Sequence, residues 1–383
     1  MNKLAVIAWR GGILSALIEN GRPAELFFEV EGTGAPAVGD VILGTVQKVN
    51  RNIDAAFVAL SPDQNAYLPC RKAELPREGE QVLVQVERDA VGTKLPLVTR
   101  ELSLPGRTLI LTEAQRGIVF SHRLTDAAEQ KRIRRILGGE PQEAGFIVRT
   151  EADGADEEEL LKEREQLKEE RARLRRQAPY RPPYSVLRKA EPLYLTLIRD
   201  VCGTDCREAV TDDPELFDRM TVFAAAHPEI PVIPRLYRER EVSLAEALRI
   251  RQAVSKAQDR VLRLPSGGEL VIEKTEAMTV IDVNTARTGS KKDFEETAFR
   301  TNCEAARETA FQLRLRGISG VITIDFINMK TEENRRNLLA LLEEETARDR
   351  IHDSVEGFTP LGMVEMTRRR VRAPLAEQLG AAK

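Results

Sequence analysis

The sequence is poor in the residues that build zinc sites and disulfide frameworks. Its 383 residues include three histidines and four cysteines. Only Cys202 and Cys206 lie close together, and no second Cys or His pair follows at the spacing of a zinc site. We therefore interpret the cysteines as reduced structural residues and expect no zinc.

Long apolar runs are also missing. No stretch of 18 apolar residues occurs, so no membrane-spanning helix is predicted. The apolar start is interrupted at Arg10 and lacks the length and cleavage site of a signal peptide. These absences predict a cytoplasmic protein.

A strong net charge is the third absence. The formal net charge is −3, although 31% of the residues are charged. The charges are segregated, with acidic residues at 153–159 and basic residues at 171–176 and 368–372. Local patches, and not the total, decide where a phosphate backbone can lie. The composition therefore leaves nucleic-acid binding open.

Short strand patterns dominate the first hundred residues. Residues 3–18 resemble one or two strands, which are too few for a domain and must pair with later strands. Several short strands separated by turn residues follow between positions 36 and 100, including one that contains Gly44. A glycine inside a strand often marks a bend or bulge. This pattern favours a small barrel, most simply a five-stranded OB-type barrel.

A long charged helix is predicted at residues 156–177. Leu160, Leu167 and Leu174 repeat every seven residues along it. One apolar position per heptad is half of what a coiled-coil seam uses. We therefore predict a solvated helix lying across a neighbouring surface, with a dimerising coiled coil as the alternative.

Two aspartates end apolar strand patterns in the C-terminal third. Asp282 ends AMTVID and Asp325 ends GVITID, and a helical pattern lies between them. A strand-helix-strand order predicts neighbouring parallel strands. Both carboxylates would then emerge at one sheet edge, about 5–10 Å apart. Period-two alternation places Asn284 on the same face as Asp282.

A carboxylate pair of this kind suits a metal ion. Two adjacent carboxylates repel each other unless a cation lies between them. Oxygen ligands favour Mg²⁺, with Mn²⁺ also possible, and such sites often serve phosphoryl transfer. The alternative is that each aspartate only caps a turn, which is the more common role of a single aspartate at a strand end.

Four blocks of this region carry a further signal: LPSGGELVIE (264–273), MTVIDVNTART (278–288), FEETAFRTNCEAARETAFQLRLRGISGVITIDFINM (294–329) and GMVEMTRRR (362–370). With these blocks the sequence resembles the ribonuclease E/G family, and the resemblance extends more weakly over most of the chain. It implies an α+β multidomain fold in five parts. These are a split RNase H-like domain (1–35 and 191–262), an inserted S1 OB-type RNA-binding barrel (36–103), a 5′-sensor region with the long charged helix (104–190) and a DNase I-like α/β catalytic subdomain (263–383).

The resemblance also implies a function. Family members are Mg²⁺-dependent endoribonucleases that hydrolyse single-stranded RNA in rRNA or mRNA processing and decay, leaving 5′-phosphate and 3′-hydroxyl ends. Their catalytic residues match Asp282, Asn284 and Asp325, of which the two aspartates bind the metal.

Further site residues follow from the same resemblance. Phe57, Tyr67 and Lys94 match RNA-binding positions, although Phe57 could instead belong to the barrel core. Arg149 and Thr150 match the motif that contacts the 5′-monophosphate.

Three departures from the family pattern keep alternatives open. No Cys-Pro-x-Cys segment occurs, so a homodimer is possible but not a zinc-linked one. His352 replaces a supporting arginine, for which Arg350 could substitute, and residues 117–123 match the 5′ sensor poorly. The alternative function is a non-cleaving RNA-binding protein acting in ribosome assembly or as an RNA chaperone. A DNA nuclease is the weaker third reading.

Overall fold

The chain folds into two compact units. The computed structural model describes residues 2–31, 36–88, 95–122, 124–138, 144–202, 206–228, 230–285, 294–351 and 353–380. One unit combines Met1–Glu31 with Leu193–Lys383, and the other is Gly32–Pro192. Within the described ranges, no helix is long and apolar enough to cross a membrane. The finer division into five domains, with its RNase H-like and DNase I-like parts, stays a prediction.

The chain opens with a three-stranded antiparallel meander. Its strands are β1 (Asn2–Trp9), β2 (Gly12–Glu19) and β3 (Arg22–Glu29). Leu4 and Val6 are buried in one apolar cluster, while Ala5 and Ile7 are buried in another. Since alternate residues of a strand point to opposite faces, both faces of this meander are covered.

Five strands of the Gly32–Pro192 unit close into a barrel. The strands are β4 (Val41–Asn50), β5 (Ala55–Ser61), β6 (Gln64–Pro69), β7 (Gln81–Arg88) and β8 (Leu97–Thr99). They pair in the order β4-β5-β6-β8-β7, and β7 pairs back to β4. This confirms the predicted five-stranded barrel and fits an S1-type OB fold. The bulge in β4 lies between Val46 and Lys48 and not at Gly44.

A four-stranded sheet and two helices follow the barrel. The elements are β9 (Ser103–Pro105), β10 (Leu109–Thr112), β11 (Ile118–Phe120), α1 (Ala127–Leu137), β12 (Gly145–Val148) and α2 (Glu157–Gln177). The strand order is β11-β12-β10-β9. Short 3-10 helices lie at Lys72–Glu74, Thr150–Ala152 and Ala178–Tyr180, and β13 (Val186–Arg188) then pairs with β4.

Helix α2 lies across this sheet. Leu160, Leu167 and Leu174 are all buried in the core that contains the strand residues of β10. The Glu113 carboxylate accepts hydrogen bonds from Arg171 and Arg175 on the adjoining helix face. The prediction of a charged helix lying on a neighbouring surface is confirmed, because its single leucine stripe is used within the chain.

The N-terminal meander is completed by later strands. The elements that follow are α3 (Leu193–Val201), β14 (Cys206–Thr211), α4 (Pro214–Ala226), β15 (Ile233–Leu236), α5 (Leu244–Ala247) and α6 (Ile250–Lys256). Strand β14 pairs in parallel with β1 and β15, giving the order β15-β14-β1-β2-β3. The predicted long-range pairing of the N-terminal strands is confirmed.

Two short helices, α5 and α6, lie within residues 243–260. Ser243 and Glu246 form a capping box at the start of α5. Arg249 then adopts a left-handed backbone conformation with φ of 55°. A left-handed residue cannot continue a right-handed helix, so α6 begins afresh at Ile250.

The last third of the chain forms a six-stranded sheet and three helices. The elements are β16 (Val261–Arg263), β17 (Glu269–Lys274), β18 (Met278–Asn284), α7 (Phe294–Arg316), β19 (Gly320–Asp325), α8 (Glu332–Thr346), β20 (Asp353–Phe358), β21 (Val364–Arg368) and α9 (Leu375–Gly380). The strand order is β16-β17-β18-β19-β21-β20. Ile281 and Ile324 pack in one core with Ala305 and Ala306 of α7 and Leu338 of α8. The two helices therefore cover one face of the sheet.

Replacing Leu160 with alanine tests the packing of α2. Leu160 is 0% exposed, so Leu160→Ala should lower the free energy of unfolding of the Gly32–Pro192 unit by about 2–5 kcal/mol. Hydrogen exchange of the α2 amides under urea measures this loss. Glu169→Ala, on the exposed face of the same helix, should change it by less than about 0.5 kcal/mol. Equal small effects of both variants would contradict the packing described here.

Candidate active site

Asp282 and Asp325 lie side by side on neighbouring parallel strands. Strands β18 and β19 pair in parallel, with Ile281 opposite Ile324 and Asp282 opposite Asp325. Neighbouring strands lie about 4.8 Å apart, so the predicted arrangement of the two aspartates at one edge is confirmed. Both isoleucines are fully buried. Alternation therefore turns both carboxylates to the face that α7 and α8 do not cover.

Asn284 orients one of these carboxylates. Its amide nitrogen Nδ2 donates a hydrogen bond of 2.8 Å to Oδ2 of Asp282. Asp282 is half-buried, whereas Asn284 and Asp325 are exposed. The three residues that the sequence placed together therefore meet at the end of β18 and β19. Residues 286–293, which continue the motif, lie outside the described residues.

Other acidic residues share this face of the sheet but stand apart. Glu365 is the register partner of Thr323, and Glu269 is the register partner of Asn284. Directly opposite residues of two paired strands lie on the same face of the sheet. The sequence could not place Glu365 and Glu269 on this face, because that placement needs the strand order. Among the described residues, no group of three or more His, Cys, Asp or Glu side chains could hold a metal ion. The candidate metal ligands are thus the carboxylates of Asp282 and Asp325, and Asn284 orients the first of them.

Two side chains of α7 hold the segment that follows Asp325. Asn302 is fully buried, and its Nδ2 donates to the carbonyl of Ile327 at 2.8 Å. The Ile327 amide donates back to Asn302 Oδ1 at 3.0 Å. Farther along, the Glu295 carboxylate accepts from the amides of Lys330 and Thr331, both at 3.0 Å. Neither Asn302 nor Glu295 was predicted from the sequence, because each bonds to residues 25 or more positions away in the chain.

Gly268 lets a turn approach the end of β18. The amide of Leu264 donates to the carbonyl of Gly268 at 2.7 Å and closes the turn. A Cβ atom on Gly268 would lie 2.8 Å from the Asn284 carbonyl oxygen and 2.8 Å from Cγ2 of Thr301. Glycine is therefore the residue that allows this turn to pack against the backbone of Asn284.

Arg350, the predicted substitute for the arginine expected at position 352, pairs with a carboxylate of β3. Its Nη2 atom lies 2.6 Å from Oε2 of the buried Glu25, and Nη2 of Arg314 lies 3.1 Å from Oε1 of the same carboxylate. Burial raises the pKa of Glu25, but the two guanidinium groups outweigh burial and leave the pKa below its ordinary value. Arg350 thus forms an ion pair with Glu25 of β3. His352 lies outside the described residues.

The predicted RNA-binding aromatics share the outer face of the barrel. Phe57 and Tyr67 are register partners on β5 and β6, with ring centroids 6.1 Å apart in an edge-to-face arrangement. Phe57 is half-buried and lies outside the barrel core, so the alternative assignment of Phe57 to that core is wrong. Lys48, which is exposed and pairs with Phe57, was missed by sequence analysis. Lys94 lies outside the described residues.

The predicted 5′-sensor residues lie at the end of β12. Nη1 of Arg149 donates to the carbonyl of Gly106 at 2.9 Å, and its Nε lies 3.5 Å from Glu151 Oε2. The hydroxyl of Thr150 lies 3.2 Å from that of Ser121. Ser121 falls in the segment that matches the family sensor poorly, yet β11 just before it pairs in parallel with β12. The fold therefore brings a second hydroxyl to this place.

Comparisons with known proteins agree on one family. The model of the ribonuclease E/G family matches residues 103–371. The chain is 33% identical to ribonuclease G of Haemophilus influenzae, covering 95% of this chain and 78% of that protein. It is 30% identical to ribonuclease G of Escherichia coli K12, covering 95% and 79% respectively. It is 34% identical to ribonuclease E of Nostoc sp., covering 92% of this chain but 54%, about half, of that protein.

The tie between Glu295 and the start of α8 predicts a pH dependence. The Lys330 and Thr331 amides that donate to Glu295 lower its pKa from the ordinary 4.5 to about 2. A depressed folded-state pKa stabilises the fold above about pH 4.5, and this contribution is lost as the pH falls toward 2. Glu295→Gln should therefore unfold at a lower temperature than the wild type at pH 7, and the difference should shrink between pH 4.5 and 2.

The neighbouring Glu296 provides the control. It is exposed on the same turn of α7, so Glu296→Gln should follow the wild-type melting curve at every pH. A gap between wild type and Glu295→Gln that stays constant down to pH 2 would contradict the assigned hydrogen bonds.

Proposed function

The chain belongs to the ribonuclease E/G family, and from that membership we propose that it is a Mg²⁺-dependent endoribonuclease acting on single-stranded RNA. The observation that carries the proposal is the register pairing of Asp282 with Asp325. The proposed products have 5′-phosphate and 3′-hydroxyl ends, as expected for RNA processing or decay.

The residues present fit a hard divalent cation. Mg²⁺ is usually held by one or two carboxylates, with water and substrate phosphate filling its other positions. Asp282 and Asp325 would supply those carboxylates, and Mn²⁺ would suit the same oxygen ligands. When bound, the ion supplies Lewis acidity toward the phosphate and lowers the pKa of a water molecule.

The surrounding residues would keep the ligands in place. The hydrogen bond from Asn284 restrains the Asp282 carboxylate, and Asn302 holds the backbone two residues beyond Asp325. In the proposed reaction, water adds to phosphorus, the bond from phosphorus to O3′ breaks, and O3′ leaves with a proton. Pre-positioned ligands favour this step because they need little reorganisation as negative charge develops on the phosphate.

The barrel would supply sequence-tolerant RNA binding. Bases stack on aromatic faces whatever their identity, and Phe57 and Tyr67 offer two rings outside the barrel core. Lys48 adds a cation next to Phe57 that can attract the RNA backbone. Lys94 stays a proposed contact on the family resemblance alone.

Arg149 and Thr150 would bind the 5′-monophosphate, with Ser121 as an additional hydroxyl donor. A guanidinium group binds phosphate oxygens in a fork, and hydroxyl groups add further donors. The 3.2 Å contact between the Thr150 and Ser121 hydroxyls brings those donors to one place.

Asp282→Asn tests the metal site. The variant should lower the rate of internal cleavage of 5′-monophosphorylated single-stranded RNA by more than about 100-fold, since even residues that only support metal ligands are worth 10–100-fold. Mn²⁺ binding, measured by electron paramagnetic resonance, should fall in parallel, while RNA affinity should not. Glu273→Gln, an exposed carboxylate on the same sheet, is the matched control and should cleave normally.

The same assay separates the competing functions. Undiminished cleavage by Asp282→Asn would reject the site. RNA binding without products at any Mg²⁺ concentration would instead favour the non-cleaving RNA-binding protein. Wild-type rates on 5′-monophosphate and 5′-hydroxyl substrates should differ, and equal rates would remove Arg149 and Thr150 from the proposed function.

Phe57→Ala and Tyr67→Ala test the barrel surface. Each should weaken RNA binding by about 1–3 kcal/mol, the usual contribution of one stacked base, when measured by fluorescence anisotropy. Lys48→Gln should reduce the slope of log affinity against log salt by about 0.7. Tyr180→Ala removes a ring that is 88% exposed in the same unit but outside the barrel. This control should bind normally, and a loss equal to that of Phe57→Ala would argue against a specific barrel surface.

A further inference from the structure

Cys202 and Cys206 form a close thiol pair that the proposed nuclease chemistry does not use. Cys202 follows α3, and Cys206 begins β14. Their Sγ atoms lie 3.3 Å apart, and the residues are 5% and 2% exposed. A disulfide bond is about 2.05 Å long, so the sulfur atoms need to approach by only about 1.3 Å.

The pair differs chemically from the other cysteines. The hydrogen bond that the two thiols share lowers the pKa of Cys206, and burial only partly opposes this effect. The same hydrogen bond and burial raise the pKa of Cys202. Cys70 and Cys303 are only partly buried, and burial raises the pKa of each. Because the thiolate is the nucleophile in disulfide exchange, Cys206 is the better first nucleophile.

The pair also lies at a structural junction. Cys206 is opposite Asn2 in the parallel pairing of β14 with β1. At the other end of α3, the Glu29 carboxylate accepts hydrogen bonds from the amides of Leu193 and Tyr194 at 2.7 and 3.0 Å. A bond between the two sulfur atoms would therefore join the carboxyl end of α3 covalently to β14.

We propose that Cys202 and Cys206 are a reversible dithiol–disulfide site, oxidised by low-molecular-weight disulfides such as glutathione disulfide. The Cys206 thiolate attacks one sulfur of the oxidant and expels its partner as a thiolate, which leaves a mixed disulfide. The Cys202 thiolate then attacks the Cys206 sulfur and expels the second small thiol. The protein loses two electrons and two protons, and the oxidant becomes two thiols. Opening of the buried site sets the rate of the first attack.

The full-length Cys70→Ser/Cys303→Ser variant isolates the pair. It should be equilibrated in glutathione buffers of stepped redox ratio, alkylated after denaturation and weighed by mass spectrometry. In oxidising buffers we expect a chain whose mass is about 2 Da below that of the reduced chain before alkylation. This oxidised chain should take up no alkyl group. Dithiothreitol should restore two alkylation sites. A cooperative unfolding transition for the oxidised chain would show that the bond forms in the native fold.

Single variants show whether the reaction needs both sulfur atoms. With Cys202→Ser added, Cys206 should stop at a mixed disulfide with one glutathione. With Cys206→Ser added, Cys202 should likewise stop at a mixed disulfide, because no second thiol remains to expel the bound glutathione. The proposal is overturned if both cysteines of the native chain remain fully alkylated in excess glutathione disulfide, or if the bond forms only after unfolding.

Discussion

The candidate site depends on the register between β18 and β19. Ile281 and Ile324 are fully buried against α7, and in a sheet with one covered face a slip of one residue would turn every side chain to the opposite face. Burial of these two side chains therefore forces Asp282 and Asp325 into the same position along their strands. The apolar core imposes a pair of like charges that an isolated chain would keep apart, and this explains why the pair suits a cation.

Helix α7 extends this constraint beyond the two strands. It covers the buried face of the sheet, and it also carries Glu295 and Asn302, which hold the connection from β19 to α8. Toward its carboxyl end, Arg314 reaches the buried Glu25 of the N-terminal meander. A buried carboxylate is costly unless it is paired, so the ion pairs with Arg314 and Arg350 tie the first strands of the chain to its last third. The discontinuous unit follows from these contacts and from the parallel pairing of β1 with β14.

The Gly32–Pro192 unit follows a different principle. Its barrel keeps small and branched apolar side chains inside and places the rings of Phe57 and Tyr67 outside. An aromatic pair that does not contribute to a core costs hydrophobic stabilisation, which is consistent with a binding role. The long helix α2 is a scaffold here, because its leucines fill the core beside the barrel and its arginines hold Glu113.

Local sequence periodicity by itself determined much of this protein. Alternating and heptad patterns predicted the barrel strands, the single buried stripe of α2 and the two apolar strands that end at Asp282 and Asp325. These predictions succeeded because strand and helix periods of 2 and 3.6 residues are properties of neighbouring positions. Spacing alone left two roles open for Asp282 and Asp325, a metal site or two separate turn caps. The resemblance of the surrounding motifs to a ribonuclease family favoured the metal site.

Tertiary structure alone decided which distant residues meet. It placed Phe57 outside the barrel core with Lys48 beside it, committed Arg350 to Glu25, and set Asn302 against Ile327. It also brought the Cys202 and Cys206 sulfur atoms to 3.3 Å. Such contacts depend on strand order, register and the packing of helices onto sheets. Since a pattern within one segment carries no information about the side chain that another segment will present to it, these pairings follow only from the folded chain.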